Sequence, residues 1–381
     1  MSLRSVGVEE GLLLVDPATG RPRALAGTVL QAARQPDPDQ GDGSGAGEGV
    51  GHVAEELEFE LQLQQLETNT RPCRTLDDLG REVRRCRASA ADAARRAGVQ
   101  VAALATSPVP VEPEIAGKSR YQKMARRFGL TAQEQLTCGC HVHVEIASAD
   151  EGIAAVDRIG PWLAVLLALS ANSPFWQGRD SEYASFRYQV WSRWPSSGPT
   201  EPFRTAQAYR ETIQQMVGTG TLLDTGMVYF NARLSERYPT IEIRIADVCL
   251  RADDAVLIAA LARALVETEA RAWRQGKPVL QTRTELLRLA AWRASRSGLD
   301  AVLLNPVTGL PEQAATVVDM LLVHCRDALA DAGDQAVVAN LLAALLARGN
   351  GAAFQRTAYR RSGRLSDVIS SSVAVTGVSP G

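Results

Sequence analysis

Alternating apolar and polar positions predict β-strands in the first two-thirds of the chain. The clearest alternation spans 56–66, where leucine or phenylalanine occupies positions 57, 59, 61 and 63 and glutamate or glutamine lies between them. A similar alternation predicts a strand at 240–248, and short β-compatible runs predict three more at 5–15, 100–106 and 137–146. Because successive side chains of a strand point to opposite faces, the alternating segments present one apolar face and one polar face.

Helical patterns dominate the final third. Thr75 is the predicted N-cap of a helix over 75–98, and Asp77 and Asp78 lie in its first turn. Further helices are predicted at 153–171, 209–216, 255–273, 285–295, 312–331 and 335–347. Four segments lack a period: we predict a mobile loop at 35–51, a charged irregular segment at 109–129, an aromatic-rich segment at 172–202 and a frayed tail at 370–381.

This segregation of strands and helices favours an α+β fold with an antiparallel sheet over a doubly wound parallel one. We expect a single domain over 1–381 whose C-terminal third, 253–363, is helical. The chain has no GxGxxG after a strand and no GxxxxGK[ST], so neither a dinucleotide-binding motif nor a P-loop is predicted.

Composition excludes several classes of protein. A formal net charge of −2 argues against a nucleic-acid-binding protein. The most apolar stretches, 161–173 and 341–347, are shorter than the roughly 20 residues of a spanning helix, and two glutamates precede the first apolar run, so neither a membrane protein nor a signal peptide is predicted. Six cysteines without a CxxC pair predict free thiols in a reducing cytoplasm.

Residues with metal-binding or phosphate-binding chemistry occur on the predicted strands: Glu9, Glu60, Glu67, His141, His143, Glu242 and Arg244. The two histidines are two positions apart and share a strand face, as do Glu242 and Arg244. Carboxylate oxygens suit Mg²⁺, and the arginine fork suits phosphate. Each residue also has a simpler interpretation, since strand glutamates are commonly solvated and Glu242 with Arg244 could form an ordinary salt bridge.

Several longer blocks resemble the type 2 glutamate–cysteine ligase family: VGVEEGLLLVDPATG, CGCHVHV, LLALSANSPFWQGRDSEYASFR followed by WSRWPSSGP, PTIEIRIADVCL and RGNGAAFQR. They occur in family order from residue 6 to about 360. These bacterial ATP-dependent carboxylate–amine ligases are related to glutamine synthetase. The resemblance implies a curved antiparallel sheet that forms a funnel flanked by helices, with ATP and Mg²⁺ (or Mn²⁺) at one end and amino-acid substrates at the other.

The resemblance also implies a role for each candidate residue. The implied metal ligands are Glu9, Glu60, Glu67, His141 and Glu242. His141, His143 and Arg244 are the implied contacts of the ATP phosphates, with Arg244 on the γ-phosphate. Arg187, in the YASFR block, would approach the acyl phosphate or the substrate carboxylate.

One departure from the family pattern bears on function. The first strand of the family reads Glu-x-Glu, and the second of these positions is Gly11 here. Glu10 points to the opposite face and cannot replace it. Glu145 and Glu182 also stand where the family usually has glycine. The leading hypothesis from the resemblance is an ATP-dependent ligase that joins a carboxylate to an amine. Its substrates could be glutamate and cysteine, and a specialised substrate pair is an equally open alternative.

Two alternatives remain open at this point. Gly11 favours a degenerate ligase that binds a nucleotide or a partner without turnover. The HxH and Glu-x-Arg patterns alone would also allow a plain metal-binding β-domain. The sequence leaves the substrate pair undetermined, and it leaves a homo-oligomer open.

Overall fold

A seven-stranded antiparallel sheet organises the molecule. The structure is a computed structural model that describes residues 3–35, 57–280 and 282–377. The strands of the sheet are β1 (Val6–Val15), β2 (Leu57–Phe59), β3 (Gln65–Asn69), β4 (Gln100–Ala102), β5 (Cys140–Glu145), β8 (Ala232–Leu234) and β9 (Thr240–Ile243). Their order is β2-β3-β1-β5-β9-β8, and β4 also pairs with β1. Two separate hairpins consist of β6 (Phe175–Trp176) with β7 (Arg179–Asp180), and β10 (Val302–Leu304) with β11 (Pro311–Gln313).

Fifteen α-helices surround the sheet in the described part of the chain. Those before residue 220 are Ala26–Ala33, Leu76–Arg96, Ser119–Phe128, Leu130–Gln133, Ala149–Ile159, Leu163–Ser170, Phe186–Trp191 and Ala206–Gly218. The later ones are Ala252–Arg274, Thr284–Ser297, Ala314–His324, Arg326–Ala332, Gln335–Arg348, Gly351–Ser362 and Leu365–Thr376. Short 3₁₀ turns lie at Gly160–Trp162 and Thr225–Met227. The predicted α+β class with an antiparallel sheet is confirmed.

Strand β1 is central because it contacts three partners. It pairs with β3 along one edge, and with β5 and then β4 along the other. Its even-numbered residues Val6 and Val8 face a large apolar core shared with the helices Ala149–Ile159 and Ala252–Arg274. Its odd-numbered residues before Gly11 therefore face the other side, where the polar residues gather.

Glu10 shows how the covered face accommodates a charge. Its carboxylate accepts two hydrogen bonds from Arg87, from Nε at 2.9 Å and from Nη2 at 2.7 Å. Arg87 also donates to the carbonyl oxygens of Cys249 and Leu250. Both side chains of this ion pair are at most 2% exposed. Glu10 is thus a buried structural residue on the face opposite Glu9, as the strand alternation predicts.

Several predicted elements have different boundaries in the structure. The single strand predicted at 56–66 is wrong: residues 57–59 and 65–69 form two paired strands with a turn between them. The strands predicted at 100–106, 137–146 and 240–248 are shorter than expected, and the helix predicted at 153–171 begins at Ala149 and is interrupted by a 3₁₀ turn. The helix predicted at 312–331 divides at Cys325 into two.

Three segments predicted to be irregular contain helices. The segment 109–129 includes Ser119–Phe128, and the segment 172–202 includes Phe186–Trp191. The tail was expected to fray from residue 370, but Leu365–Thr376 is a helix whose Thr376 hydroxyl accepts from the Ala103 backbone N–H at 2.9 Å. The mobile loop predicted at 35–51 lies outside the described residues, apart from Gln35.

Two helical stretches are long and apolar enough to span a membrane by length and composition alone. In the apolar 18-residue window of Ala149–Ser170, 83% is buried inside the protein, as in core helices, and in that of Gln335–Ser362, 33% is buried. Core helices pass the same test, so these two stretches are weak indications of a membrane protein. All six cysteines lie in the described residues, and all are buried free thiols.

Candidate active site

The register of four strands brings most of the candidate residues onto one face of the sheet. Glu9 on β1 lies directly opposite His141 on β5, and His143 lies directly opposite Glu242 on β9. The next strand, β8, places Arg233 opposite Glu242. A row of acidic, imidazole and guanidinium groups therefore crosses the sheet, and the two-residue alternation of each strand is what aims them to the same side.

Both histidines contact Glu9. His141 Nδ1 lies 3.3 Å from Glu9 Oε2, and His143 Nε2 lies 3.0 Å from Glu9 Oε1. His143 Nδ1 also lies 2.9 Å from the Thr240 hydroxyl. Burial and the nearby Arg244 charge lower the pKa of His141 to about 3. Although burial opposes ionisation of Glu9, the two histidines hold its pKa well below the usual range. At neutral pH we therefore assign an ionised Glu9 and a neutral His141.

Glu242 is held between two arginines. Arg233 Nε donates to Glu242 Oε2 at 2.8 Å, and Arg244 Nη1 donates to Oε1. Burial lowers the pKa of Arg233, and burial with the neighbouring Arg233 charge lowers the pKa of Arg244 to about 9. The salt bridge between Glu242 and Arg244 that the Glu-x-Arg spacing suggested is therefore present. Together with Arg233 it forms a three-residue network inside the protein rather than an isolated surface pair.

The surrounding protein opposes a negative charge on Glu60 and on Glu67. Part of each side chain is accessible, yet the protein encloses them closely enough that burial raises both pKa values. For Glu67 the carboxylates of Glu60 and Glu9 raise the pKa further, well above the usual range. Such mutual repulsion between acidic groups is what a bound cation relieves.

The donor set fits a hard divalent cation. Two groups of three residues have ligand atoms that all lie within 4.8 Å of one another: Glu9, Glu67 and His141 form one, and Glu9, His143 and Glu242 form the other. Carboxylate oxygens dominate both groups, as Mg²⁺ prefers. Glu60 belongs to neither group, and its carboxylate accepts from the Leu61 backbone N–H at 3.0 Å.

Arg187 is positioned by a buried hydrogen-bonded network centred on Asp247. One Asp247 oxygen accepts from the Asn172 backbone N–H and the Ser173 hydroxyl, and the other accepts from the Ser185 hydroxyl. Ser185 is also the N-cap of the helix Phe186–Trp191, and Ser173 Oγ accepts from the Arg187 backbone N–H. The ALSANSPFW block is thus explained physically, because its polar residues set the start of the helix that carries Arg187.

The Arg187 guanidinium is buried against the backbone beside the cluster. It donates long hydrogen bonds to the carbonyl oxygens of Ile245 (3.3 Å) and Arg244 (3.4 Å), and it lies 3.9 Å from Asp247. A Cβ added at Gly139 would collide with this guanidinium and would lie 3.0 Å from His141 Nε2. The glycine of the CGCHVHV block therefore makes room for Arg187 next to His141.

Gly11 has a packing role at the position of the missing carboxylate. It lies on the same face as Glu9 and directly opposite Glu67. A Cβ at this position would lie 3.1 Å from Cys138 Cα and 3.2 Å from Cys138 Cβ, and the Gly11 N–H donates to the Gly139 carbonyl oxygen at 3.0 Å. The backbone around Cys138 thus occupies the space in which a side chain at position 11 would begin.

We accordingly expect Gly11→Glu to destabilise the protein by about 1–3 kcal/mol through overpacking, without lowering the Mg²⁺ concentration that activity requires. Thermal melts and an Mg²⁺ titration of ATP turnover on both proteins provide the measurement. Gly11→Ala is the control for the steric effect alone. A Gly11→Glu protein of unchanged stability with a lower Mg²⁺ requirement would show instead that the position still belongs to a metal site.

The other two departures from the family pattern lie outside the cluster. Glu145 accepts from the Ser5 backbone N–H at 2.8 Å at the far end of β5. Glu182 has a positive φ of 61°, a backbone conformation that favours glycine, and its side chain contacts Arg296. Both residues therefore serve local structure and do not alter the candidate site.

Three residues of the site region were missed by sequence reasoning. Arg233 lies in a three-residue strand too short to show a period, although Glu242 on a central strand requires a cross-strand partner. Trp191 lies in the segment read as irregular, and its ring lies 5.5 Å from the Arg187 guanidinium carbon and 5.6 Å from that of Arg244. Asp247 lies three residues after Arg244, and nothing in the sequence indicates its three hydrogen-bond donors.

A cavity of about 650 Å³ lies away from this cluster, between the N-terminal segment and the helices Ala252–Arg274 and Arg326–Ala332. Its charged residues pair with acidic neighbours, as Arg263 does with Asp334 and Arg271 with Glu267 and Asp331. The cavity is therefore lined by compensated ion pairs.

Comparisons of sequence identify relatives over nearly the full length. The model of glutamate-cysteine ligase family 2 matches residues 5–371. A protein of Streptomyces avermitilis named "Putative glutamate–cysteine ligase 2-1" is 55% identical over 98% of this chain and 99% of its own length. A "Putative glutamate–cysteine ligase 2" of Streptomyces coelicolor is 52% identical over the same shares.

Comparisons of structure extend the likeness to distant proteins. A glutamate–cysteine ligase from Francisella tularensis in complex with AMP has a TM-score of 0.66 and 14% identity, covering 99% of this chain and 89% of that one. A bifunctional glutathione synthetase from Pasteurella multocida has a TM-score of 0.68 and 15% identity, covering 98% of this chain and 52% of that one. At this identity the likeness shows the fold alone, which this chain shares with these two structures.

Proposed function

The chain belongs to glutamate–cysteine ligase family 2 and is an enzyme of the ligase class, and we propose that it uses ATP to join a carboxylate to an amine through an acyl phosphate. The single observation that carries this proposal is the juxtaposition of a carboxylate cluster with buried guanidiniums. Glu9, Glu67 and His141 offer ligand atoms to one cation, while Arg244 and Arg187 lie beside them on the same side of the sheet. Phosphoryl transfer needs both kinds of group at one place.

The residues divide the work by charge. Mg²⁺ would be held by Glu9, Glu67 and His141, with Glu242 and His143 available on the other side of Glu9, and it supplies neutralisation of phosphate charge. Arg244 is buried and largely excluded from water, and we propose that its guanidinium stabilises charge on the transferred phosphoryl group. Arg187 is placed to approach either the acyl phosphate or the substrate carboxylate.

The reaction balances in two displacements. A substrate carboxylate oxygen bonds to the γ-phosphorus of ATP while the bond from that phosphorus to ADP breaks. The nitrogen of the substrate amine then bonds to the acyl carbon and gives up a proton to solvent, while the bond from that carbon to the phosphate oxygen breaks. Phosphate leaves with one oxygen that came from the carboxylate. We propose amino-acid-like molecules for both substrates, with glutamate and cysteine as the first pair to test.

We also propose that the protein acts in a reducing cytoplasm, because its cysteines are free, buried thiols.

The proposal is tested by ADP release from purified protein with Mg²⁺ and a panel of amino-acid pairs. We expect ADP release to require both a carboxylate and an amine substrate, and a new amide to accumulate in equal amount. ADP release independent of every acceptor would contradict the proposal. Tight nucleotide binding with no turnover for any pair would support the alternative that Gly11 favours, a degenerate ligase that acts as a nucleotide-binding or partner-binding protein.

The two histidines are predicted to differ in importance. His141 lies 3.3 Å from Glu9 and 3.9 Å from Glu242, whereas His143 also contacts Thr240, which belongs to neither group of ligands. We expect His141→Ala to lower turnover at least about tenfold more than His143→Ala, since a lost ligand or ligand partner typically costs 10–100-fold. Steady-state kinetics of both variants measure this, and equal or reversed losses would show that the two roles are exchanged.

A further inference from the structure

Arg187 and Arg244 are buried with few partners of their own. Each side chain is at most 9% exposed. Arg244 has Glu242 as its ion-pair partner. Among the described residues, the polar contacts of Arg187 are long hydrogen bonds and the 3.9 Å approach to Asp247. The Nε atom of each is buried and has no hydrogen-bond partner among the described residues. Buried cationic groups with unused donors are costly unless a ligand anion completes them.

Both guanidiniums lie against the same aromatic ring. The guanidinium carbon of Arg187 is 5.5 Å from the centre of the Trp191 ring, and that of Arg244 is 5.6 Å from it. The Tyr229 ring lies 5.9 Å from the Arg244 guanidinium and packs at a tilt against Trp191, with ring centroids 4.8 Å apart. A tryptophan face attracts a cation within about 6 Å, most strongly where water is excluded.

The two arginines reach the Trp191 ring from different elements. Arg187 and Trp191 are one helical turn apart on Phe186–Trp191, which brings their side chains to the same side of the helix. Arg244 follows β9 and reaches the ring from the sheet. The tryptophan therefore joins two cationic side chains that arrive from different parts of the chain.

We propose that Trp191 is a positioning residue that holds Arg187 and Arg244 together as a clamp for a polyphosphate anion. The expected effect of Trp191 on turnover rests on the proposed function, in which the two arginines act on the transferred phosphoryl group. Trp191 is then the residue that aligns them on that group. The ring supplies attraction without supplying a negative charge, so the guanidinium donors stay available to an anion, which a carboxylate in the same place would not allow.

The test compares Trp191→Leu, which removes the ring, with Trp191→Phe, which keeps a smaller one. Trp194→Leu is the matched control. Trp194 makes an edge-to-face contact with Tyr229, with centroids 5.4 Å apart, in the same aromatic cluster, but in the described part of the chain it has no cation–π contact with either arginine. Calorimetry measures the binding of inorganic tripolyphosphate with Mg²⁺ to each protein, and steady-state kinetics measure kcat and the KM of the amino-acid substrates. Thermal melts identify any variant that is unfolded.

We expect Trp191→Leu to weaken tripolyphosphate binding and to lower kcat, each at least about tenfold, with the KM of the amino-acid substrates little changed. Trp191→Phe should recover most of both losses, and folded Trp194→Leu should bind as the unaltered protein does. If Trp191→Leu does not fold, the two phenylalanine variants are compared instead. A larger loss of tripolyphosphate binding and kcat in Trp191→Phe than in Trp194→Phe would then support the inference.

Wild-type tripolyphosphate affinity in Trp191→Leu would overturn the inference, and so would losses of equal size in the Trp191 and Trp194 variants. Failure of the unaltered protein to bind tripolyphosphate would overturn it as well. If the unaltered protein binds tripolyphosphate but releases no ADP with any substrate pair, the proposed function fails, while the binding series still decides the role of Trp191.

Discussion

Replacing Glu242 by glutamine is expected to lower turnover at least about a hundredfold. The substitution keeps the shape of the side chain and removes the charge that lies between Arg233 and Arg244 and that contributes to one of the two potential ligand groups. It also leaves two buried cations less compensated, so some loss of thermal stability should accompany the loss of activity. Steady-state kinetics and melts of the purified variant provide the measurement.

Glu145→Gln is the matched control for this experiment. Glu145 lies on β5 and, two residues beyond His143, on the same face, but it accepts from Ser5 at the far end of that strand and belongs to neither ligand group. Its variant should retain most activity. Near-normal turnover in folded Glu242→Gln would remove Glu242 from the site, and an equal loss in Glu145→Gln would show that the effect comes from the sheet as a whole.

Replacing Arg87 by methionine is expected to reduce the free energy of unfolding by about 3–5 kcal/mol, because it leaves the Glu10 carboxylate buried without its partner. The substitution also removes the hydrogen bonds that Arg87 donates to the carbonyl oxygens of Cys249 and Leu250, which lie just beyond the strand that carries Glu242. Denaturant unfolding of the variant measures the change.

Two further variants separate the buried charge from the loss of a long side chain. Glu10→Gln combined with Arg87→Met should be more stable than Arg87→Met alone, because the unpaired charge is gone. Arg81→Met, on the same helix, removes an exposed arginine that pairs with Asp77 and Asp78, and it should leave stability close to unchanged. If Arg87→Met were as mild as Arg81→Met, Glu10 could not be the buried structural charge described here.

Sequence reasoning succeeded where a local period controls the geometry. The i, i+2 rule placed His141 with His143 on one face and Glu10 on the opposite face from Glu9, and the structure agrees. The rule failed at 56–66, where alternation continues through a turn. There Leu57 and Leu61 are buried in two different apolar clusters, so the alternating pattern reflects two environments rather than one continuous strand.

Small residues account for the error at the C-terminus. The residues of 370–376 are three serines, two valines, an alanine and a threonine, which lack the bulk that makes a buried helix recognisable. This small size lets the helix Leu365–Thr376 pack against the strand region near Ala103. Position 11 shows the same difficulty, because a missing carboxylate is visible in the sequence while the backbone of Cys138 that takes its place is not.

The functional residues that were missed depend on contacts between distant segments. Arg233 is identified only once β8 is paired with β9, and Trp191 only once its helix is placed beside the sheet. Asp247 receives its hydrogen bonds from residues 62 to 75 positions away. A single sequence contains no local signal for partners at such separations.

Transfer of oxygen from the carboxylate substrate to phosphate tests the central claim most directly. The carboxylate substrate, glutamate first, is labelled with ¹⁸O in the carboxylate that reacts, and the products of one reaction with ATP, Mg²⁺ and the amine are analysed by mass spectrometry. We predict ADP and inorganic phosphate that carries one ¹⁸O atom for each amide formed. Amide formation with unlabelled phosphate, or with the label in AMP, would contradict it.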